Sequence, residues 1–497
     1  MWSCWTAIPN NALCVNSVGA TSCGSGFHKM PRSNLMLVKL FLIAVILFVS
    51  ACAPDTDTQY SGHPEESSNM SLLGHHDLQG RSAYQPVIER QGDQWVAYIG
   101  LMGGQAKNEM TGNVEWSGTL LVDVTDPSHP FTLSHIPGSD AENSRGGSGA
   151  QMNRVCTIHG KSYLLRSYGN TGHEVWDVTE PRDPQFVVTA ADDLAGVHKS
   201  WWECDTGIAY IVGQDKAWRS RHTQIYDLSD PHHPIFIRNY GIPGQEPGSN
   251  SEPVPTNLHG PIVLGNRVYF GYGSSRNGII QIVDRDKLLN GPAEATVANL
   301  EAPEIARYYL APNYGAHTTL PIIGVEVPDY ETSAMGSVRD FLIMPSESTQ
   351  NECLEERDAV LIIDITYPEI PMPISSYQVP ESDGDFCRRG GRFGPHSVDE
   401  SMYPVYYKKL IFVSYFNAGV RAVDIRNPFA PREVGYFIPA TTSNTQQSCL
   451  VVDGTQRCKT AIQTDNAEVD DRGYIYIVDR AGTGMHVLEL TGEEWVN

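Results

Sequence analysis

The chain has 497 residues, of which 41% are hydrophobic and 19% are charged, a composition typical of a globular protein with ample apolar surface for a core. This balance excludes disorder of the whole chain. The formal net charge of −23 at pH 7 would repel phosphate backbones and anionic lipids, so nucleic acid is not an expected partner. A solvated acidic surface explains the charge better than an acidic binding face.

The first segment with a recognisable pattern runs from Met30 to Cys52. Arg32 and Lys39 precede a short apolar stretch, Leu40 to Val49, which small residues and a cysteine follow. This order resembles a bacterial lipoprotein signal, and the resemblance implies that the sulfur of Cys52 carries a diacylglyceryl chain. The apolar stretch is about half as long as a membrane span requires, so an uncleaved anchor is the less favoured alternative.

The segments on either side of this signal have no apolar period. Residues 1–29 are expected to be a leader that is absent from the mature protein, with translation starting at Met30 or Met36. Residues 53–68 are rich in Asp, Thr, Ser, Glu and Pro and predict a flexible tether. Ala53 stands where an inner-membrane retention signal would have aspartate, so we expect a cell-envelope protein held at the outer membrane by its lipid alone.

A short sequence motif, which we call the phrase, recurs along residues 69–497. Its repetition predicts the architecture of a single domain. Five full copies, such as Leu121-Val-Asp-Val-Thr-Asp-Pro, and two shorter ones bring the number of repeats to seven. The copies begin at Leu121, Val175, Ile225, Ile282, Ile362, Ala422 and Val487. Each phrase predicts a strand that ends at an Asx-Pro turn, because proline cannot donate to the ladder and the Asx side chain turns the backbone.

Further strands flank each phrase and give four strands per repeat. The repeats lie roughly 50 to 80 residues apart with no helical period between them, which indicates propeller blades. We therefore predict an all-β fold, a seven-bladed β-propeller of four-stranded antiparallel blades. The last repeat lacks its fourth strand, and Asn69–His76 has the matching pattern, so an N-terminal strand is predicted to complete the last blade.

The amino-acid sequence of the repeated phrase resembles the repeat motif of the LVIVD-repeat family of bacterial and archaeal propeller proteins. The resemblance covers residues 69–497 and rests on phrases such as Leu121–Pro127 and Val175–Pro181. It implies the propeller fold and says little about function.

Aligning the repeats on their aspartates places one polar residue of every innermost strand at the same level. Four successive repeats have histidine there, and the other three have an amide. The seven residues are Gln85, Gln151, His198, His259, His317, His396 and Asn466. Because innermost strands line the central channel and side chains alternate along a strand, these side chains are expected to point at the axis.

The histidines make this ring a candidate metal site, because imidazole is a common ligand of zinc, copper and iron. The candidate ligands are His198, His259, His317 and His396. Further candidate channel or ligand-binding residues are Arg154, Glu203 and Glu468, which lie close in sequence to the ring. The alternative is a ring that only joins strands by hydrogen bonds or holds water. Selenium-binding proteins, which include methanethiol oxidases, look similar in outline, but their motifs are not present.

Six cysteines follow Cys52, an even number in a compartment that permits disulfides. Two fall at similar heights on neighbouring innermost strands, two flank a predicted hairpin turn at Asp453-Gly454, and two are left as partners. The predicted pairs are Cys156–Cys204, Cys449–Cys458 and Cys353–Cys387. Buried free thiols are the alternative for the first of these pairs.

Two functions follow from these features. The first is a monomeric, membrane-tethered binding or scaffold module for a protein, peptide, glycan or small molecule, favoured because no known catalytic motif is present. The second is a metal-dependent enzyme, such as an oxidoreductase, that uses a metal held by the four histidines. Three long loops, 244–256, 325–357 and 384–394, are expected to shape the mouth of the channel.

Overall fold

The computed structural model describes residues 62–139, 149–334 and 336–492. The predicted leader, the signal segment with Cys52 and residues 53–61 of the predicted tether lie outside these residues. The strands of the first half are β1 (Glu66–Ser68), β2 (Met70–His76), β3 (Ala83–Gln91), β4 (Gln94–Leu101), β5 (Gln105–Lys107), β6 (Val114–Trp116), β7 (Thr119–Asp123), β8 (Phe131–Ile136), β9 (Asn153–Ile158), β10 (Lys161–Tyr168), β11 (Gly172–Asp177), β12 (Gln185–Ala191), β13 (Trp201–Trp202), β14 (Ile208–Gly213), β15 (His222–Asp227) and β16 (Ile235–Tyr240).

The second half continues the same pattern. Its strands are β17 (Leu258–Leu264), β18 (Arg267–Tyr272), β19 (Ile279–Asp284), β20 (Glu304–Tyr309), β21 (Leu320–Glu326), β22 (Val338–Pro345), β23 (Val360–Asp364), β24 (Met372–Tyr377), β25 (Leu410–Ser414), β26 (Val420–Asp424), β27 (Arg432–Ile438), β28 (Gln447–Val452), β29 (Thr455–Thr460), β30 (Thr464–Val469), β31 (Ile475–Asp479) and β32 (Met485–Leu490). Three short helices are α1 (Arg285–Asn290), α2 (Val297–Glu301) and α3 (Phe386–Arg389). No helix among the described residues is long and apolar enough to cross a membrane.

These strands form seven four-stranded antiparallel sheets, which are the blades of a β-propeller, and the fold prediction is confirmed. Blades 1 to 5 follow the chain in the orders β3-β4-β7-β8, β9-β10-β11-β12, β13-β14-β15-β16, β17-β18-β19-β20 and β21-β22-β23-β24. Blade 6 contains β25, β26 and β27, and blade 7 contains β30, β31 and β32. Two extra hairpins, β5-β6 and β28-β29, stand outside the blades.

The ring closes through strands from the N-terminal side of the domain. β2 pairs with β32, with Met70 opposite Leu490, and so completes blade 7 as predicted. β1 pairs with β27 and adds an outer edge to blade 6, whereas Glu66–Ser68 had been predicted to belong to the tether. That prediction is wrong for these three residues, because an edge strand needs only main-chain hydrogen bonds and shows no apolar period. The innermost segment of blade 6 is reduced to a bridge between Val398 and Val413.

The core is divided among the interfaces between blades. The described residues contain seven hydrophobic clusters, and each lies mainly between two successive blades. At the closure, Ile99 and Leu120 of blade 1 pack with Tyr476 and Val478 of blade 7. Burying the sheet faces against their neighbours removes most of their apolar side chains from water, so each blade depends on the blades beside it for stability.

The repeated phrase has a local structural role that the sequence anticipates. Its aspartate ends the third strand of a blade and accepts a hydrogen bond from the main-chain N–H two residues on, as Asp123 does from Thr125 at 2.9 Å. The following Asx residue repeats this turn, as Asp126 does with Ser128 at 3.0 Å. The phrase therefore marks a turn of the fold and is no sign of a ligand site.

All three predicted disulfides are present, so the free-thiol alternative for the first pair is wrong. The bonded pairs are Cys156–Cys204, Cys353–Cys387 and Cys449–Cys458, with Cα atoms 5.1, 5.3 and 4.0 Å apart. The first joins blade 2 to the start of blade 3, and the last crosses the hairpin β28-β29. Each pairing is the one that strand geometry favours.

Candidate functional site

Each blade contributes one residue of its innermost strand to the polar ring, and the strand register identifies these residues. Gly260 lies opposite Gly271 in blade 4, and Asn466 occupies the corresponding place opposite Val478 in blade 7. The residue before each of these, His259 and Asp465, therefore occupies the ring position. Around the propeller the ring consists of Tyr84, Gln151, His198, His259, His317, His396 and Asp465.

Two residues predicted for this ring, Gln85 and Asn466, lie one residue after the ring position of their blades. The ladder has the same β-bulge in blades 1, 4 and 7, from Ala83 to Pro86, from Leu258 to Gly260 and from Thr464 to Asn466. The alignment of the repeats was displaced by one residue only in blades 1 and 7, where no histidine marks the position. The amide of Asn466 instead donates to the main-chain oxygen of Tyr84 at 2.7 Å and accepts from the Ser397 hydroxyl. Gln85 is buried within the bulge of blade 1.

The structure brings the four predicted histidines together, and we refer to them as the histidine cluster. Ring centroids of successive members lie 4.4, 3.7 and 4.4 Å apart in the order His198, His259, His317 and His396. The Nε2 atoms of His198 and His259 are 2.9 Å apart. Tyr84 lies beside both ends of this arc, with its ring 5.8 Å from that of His198 and 5.4 Å from that of His396.

A carboxylate that the sequence analysis missed completes the site. Glu347 lies in the loop after β22, and its Oε2 is 3.9 Å from Nε2 of His317 and its Oε1 3.9 Å from Nε2 of His396. These two histidines and Glu347 each offer one ligand atom, and the three atoms lie within 4.8 Å of one another. The only signal in the sequence was the length of the loop 325–357, because the residue stands outside the repeated strands.

The orientation of His396 is fixed by the neighbouring blade. Its Nδ1 contacts the main-chain oxygen of Asp465, and since a carbonyl can only accept, Nδ1 carries the proton. Nε2 therefore presents a lone pair to the site, where the Tyr84 hydroxyl reaches it at 3.4 Å. A backbone acceptor behind a ring nitrogen is the usual second-shell arrangement of a metal-binding histidine.

Nε2 of His317 is also available to a ligand, as a different observation indicates. Its Nδ1 lies 3.2 Å from the Thr318 hydroxyl, while its buried Nε2 has no hydrogen-bond partner among the described residues. Nδ1 of the neighbouring His259 is likewise buried and without a partner in the described part of the chain. These two ring nitrogens are therefore not engaged by the described residues and are available to a ligand.

The electrostatics keep the imidazoles neutral. Burial lowers the pKa of His198, His259, His317 and His396 well below the usual value, and nearby cations lower it further. Those cations include Arg221 beside His198 and His259, and Arg480 beside His396. Neutral imidazole is the form that binds metal ions, so the cluster does not have to lose protons to do so at neutral pH.

Three arginines surround the cluster. Arg392 pairs with Glu347 at 2.8 Å, and Arg480 pairs with the buried carboxylate of Asp465 at 2.8 Å. Arg221 donates to the main-chain oxygens of Leu258 at 2.5 Å and Gly196 at 3.3 Å. Burial raises the pKa of Asp465 to about 7 against the opposing influence of Arg480.

A second polar group lies further along the innermost strands and contains two of the predicted channel residues. Arg154 and Lys199 share the carboxylate of Glu400. Burial, then the charge of Asp399, raises the pKa of Glu468 to about 8, and burial raises that of Asp399 to about 7. Arg154 and Glu468 are thus buried polar residues of the channel wall, outside the histidine cluster.

Glu203, the remaining predicted channel residue, has another role. The chain turns directly after the two-residue strand β13, and the Glu203 carboxylate forms an ion pair with Arg285 of α1 at 2.8 Å. It also accepts from the hydroxyl of Thr206 at 2.9 Å. These contacts pair Glu203 with residues outside the histidine cluster.

Comparisons with known proteins support the fold alone. No known protein family and no curated protein matches the sequence. Among solved structures, Raptor of Chaetomium thermophilum is similar with a TM-score of 0.51 and 9% sequence identity, over 87% of this chain. The match spans 30% of the Raptor chain, so this chain corresponds to less than a third of that protein's length. Fold and site together define a seven-bladed propeller with a buried His-carboxylate cluster at its axis.

Proposed function

We propose that the protein is a metal-dependent enzyme whose central channel binds a transition-metal ion through His317, His396 and Glu347. The observation that carries this proposal is the convergence of their ligand atoms within 4.8 Å, in a site where Nε2 of His317 is buried without a hydrogen-bond partner in the described residues. Two imidazoles and one carboxylate suit zinc or iron(II), and copper is the further candidate.

The number of ligands supports catalysis over a structural role. Structural zinc sites are closed by four protein ligands, whereas catalytic metals have three and keep a position open for water or substrate. The ring of His259 is tilted by 37° against that of His317, with the two centroids 3.7 Å apart, so His259 borders the site. Tyr84 offers a hydroxyl on the same side, and its pKa is raised by burial and by Asp465, so it remains a proton donor.

Metal analysis of the protein purified without a polyhistidine tag tests the proposal. The apoprotein is dialysed against zinc, copper or iron(II), the last without oxygen, and bound metal is measured by mass spectrometry. We expect about one ion per chain, lost in His317→Ala and Glu347→Gln and retained in His233→Ala, whose exposed ring pairs only with Asp230. Metal content equal in wild type and His317→Ala for all three ions would overturn the proposal.

A binding module remains the second candidate, favoured by a groove at the rim. The β5-β6 hairpin and blade 2 border a cavity of about 330 Å³ lined by Met110, His135, Trp176, Arg182 and Pro184. An aromatic ring, a thioether and an arginine are residue types enriched at interfaces with proteins and peptides. Loss of a bound peptide or glycan on Trp176→Ala, without change in metal content, would assign this function to the groove.

We further propose that the protein works in the cell envelope, held to the outer membrane by a lipid on Cys52. Three disulfides support an oxidising compartment, because such bonds are rare where thiols are kept reduced. The resemblance of residues 30–52 to a lipoprotein signal supports the anchor. Mass spectrometry of the N-terminal peptide tests this directly, and a mature protein with unmodified Cys52 would contradict it.

A further inference from the structure

We propose that the channel site takes a small oxyanion, a carboxylate in the first instance, held by Arg221 and Arg480 beside the histidine cluster. This inference rests on the proposed function, because the anion would be the substrate of the metal centre. The observations that carry it are an excess of positive charge beside the cluster and an arginine with no carboxylate partner among the described residues.

The charges around the cluster do not balance. Three guanidinium groups, those of Arg221, Arg392 and Arg480, face two carboxylates, those of Glu347 and Asp465. A divalent metal would enlarge this excess of positive charge, and a bound anion would offset it.

Arg221 is the group that lacks a counter-ion. Its Nε and Nη1 donate to two main-chain oxygens, and no carboxylate of the described residues lies within ion-pair distance. Burial lowers its pKa to about 10, while Tyr84 and Glu347 exert the opposite, weaker influence. Nη2 makes no hydrogen bond to the described residues and remains available to a ligand.

Arg480 is held rigidly on the other side. Its guanidinium lies 5.4 Å above the ring of Tyr84 and 5.5 Å from that of Phe416, while one nitrogen pairs with Asp465. Nε of Arg480 is buried without a partner among the described residues. Two preoriented guanidinium groups suit the planar, two-oxygen geometry of a carboxylate, which arginine binds through paired hydrogen bonds.

The arginines also leave the site open on one side. The side chains of Arg392 and Arg480 are 25% and 19% exposed, whereas those of His317 and His396 are at most 2% exposed. Solvent therefore reaches the guanidinium groups and not the imidazoles. An anion entering from this side would meet the positive charges first and then the ligand atoms, which favours its capture.

Calorimetric titration of the metal-free protein tests the inference independently of the metal. The probes are oxalate, which is planar, inorganic phosphate, which is tetrahedral, and the neutral diamide oxamide. We expect oxalate to bind and oxamide not to bind, with affinity for oxalate at least ~10-fold weaker in Arg221→Gln. The matched control is Arg426→Gln, which removes a surface guanidinium paired with Asp424. Tighter binding of phosphate than of oxalate would assign a tetrahedral oxyanion to the same two arginines.

The failures of the two proposals are distinguishable. Absence of binding by either anion, or equal binding in wild type and Arg221→Gln, would overturn the inference and leave the metal measurements unaffected. Anion binding by a protein that takes up no metal would instead overturn the proposed enzyme and keep the anion site. If Arg221→Gln unfolds below the temperature of the titration, Arg480→Gln decides the question by the same criterion, because Arg480 is the other arginine proposed to hold the anion.

Discussion

His396 of blade 6 donates from its Nδ1 to the main-chain oxygen of Asp465 of blade 7, so one imidazole joins two blades and also turns its other nitrogen toward the axis. Asp465 is the bulged residue of β30, and its carboxylate forms an ion pair with Arg480. The bulge, the histidine and the arginine therefore form one unit, and displacement of any of them would move the others.

Replacement of His396 by asparagine separates its hydrogen bond to Asp465 from its role as a metal ligand. The Asn amide nitrogen sits where Nδ1 does and can still donate to Asp465, but nothing replaces Nε2 as a ligand. We expect metal affinity to fall by about 100-fold or more, with the free energy of unfolding of the apoprotein changed by about 1 kcal/mol or less. Competition with a chelator measures the affinity, and urea titration the stability.

The control for this pair of measurements is His396→Ala, which removes both contacts. It should lose metal to the same degree and should also destabilise the apoprotein, since the buried Asp465 oxygen keeps only the 3.5 Å hydrogen bond from the Ser397 hydroxyl. Equal metal affinity in wild type and His396→Asn would show that His396 is no ligand.

Asp399 and Glu468 predict a fall in stability as the pH rises. Burial raises the pKa of Asp399 from 3.8 to about 7 and that of Glu468 from 4.5 to about 8, and Arg154 opposes the shift of Glu468 while Glu89 adds to it. Between their unfolded and folded pKa values these two carboxyls bind more protons in the folded protein than in the unfolded chain. Their contribution to stability is therefore complete below the unfolded pKa values and is lost as the pH rises to about 8. Melting temperatures from pH 5 to pH 8.5 measure this.

The doubly neutral variant Asp399→Asn/Glu468→Gln isolates the contribution of this pair, since other groups titrate in the same range. Its melting temperature should decrease less with rising pH than that of the wild type. Asp93→Asn, at a fully exposed carboxylate, should leave the pH dependence unchanged. Parallel pH profiles for the wild type and the double variant would contradict the prediction.

The disulfides should differ in their effect because they close loops of different length. Cys156–Cys204 spans 48 residues and Cys449–Cys458 spans 9. The loss of chain entropy in the unfolded state gives about 4 kcal/mol for the longer loop and about 2.5 kcal/mol for the shorter. Urea titration of the two double-serine variants measures both values. A larger loss on removal of the short bridge would mean that native-state contacts, and not loop closure, set the order.

Arg166 should make Glu174 essential for stability. The guanidinium is almost fully buried and donates to the Glu174 carboxylate from two nitrogens at 3.1 and 2.8 Å, while Trp176 donates to the same oxygen at 2.9 Å. Glu174→Ala leaves a buried charge unpaired, so we expect unfolding to become easier by about 3–5 kcal/mol. Lys216→Ala, which breaks an exposed pair with Asp193, should cost about 1 kcal/mol or less. Similar losses in both variants would contradict this.

The sequence predicted the fold because each blade repeats the same local rules. The Asx-Pro turn, the alternating strand before it and the unmatched strand at Asn69–His76 are all determined by neighbours along the chain or by a visible repeat. Edge strand β1 was missed, because Glu66–Ser68 is polar and pairs only through its main chain. A short edge strand of this kind has no side-chain signature.

The site was predicted in part. The histidine cluster follows directly from the repeat alignment, whereas Tyr84 and Asp465 were missed by one residue in blades that have no histidine to mark the bulged position, a bulge that blade 4 shares. Glu347, Arg392 and Arg480 come from loops or strand ends, where no repeat constrains the position of a side chain. The position of these side chains near the axis depends on tertiary packing and is not indicated by any local sequence pattern.

The pairing of β2 with β32 has a consequence for the order of folding. β2 is the first strand of the central ring to be synthesised, and its partner is the last, so the strand remains without its hydrogen-bonded neighbour until the whole domain has been made. Without blade 7, the other six blades leave an apolar sheet face uncovered on blade 6 and on blade 1. Completion of the circle is then the step with the greatest separation along the chain, and such long-range pairing makes folding slow.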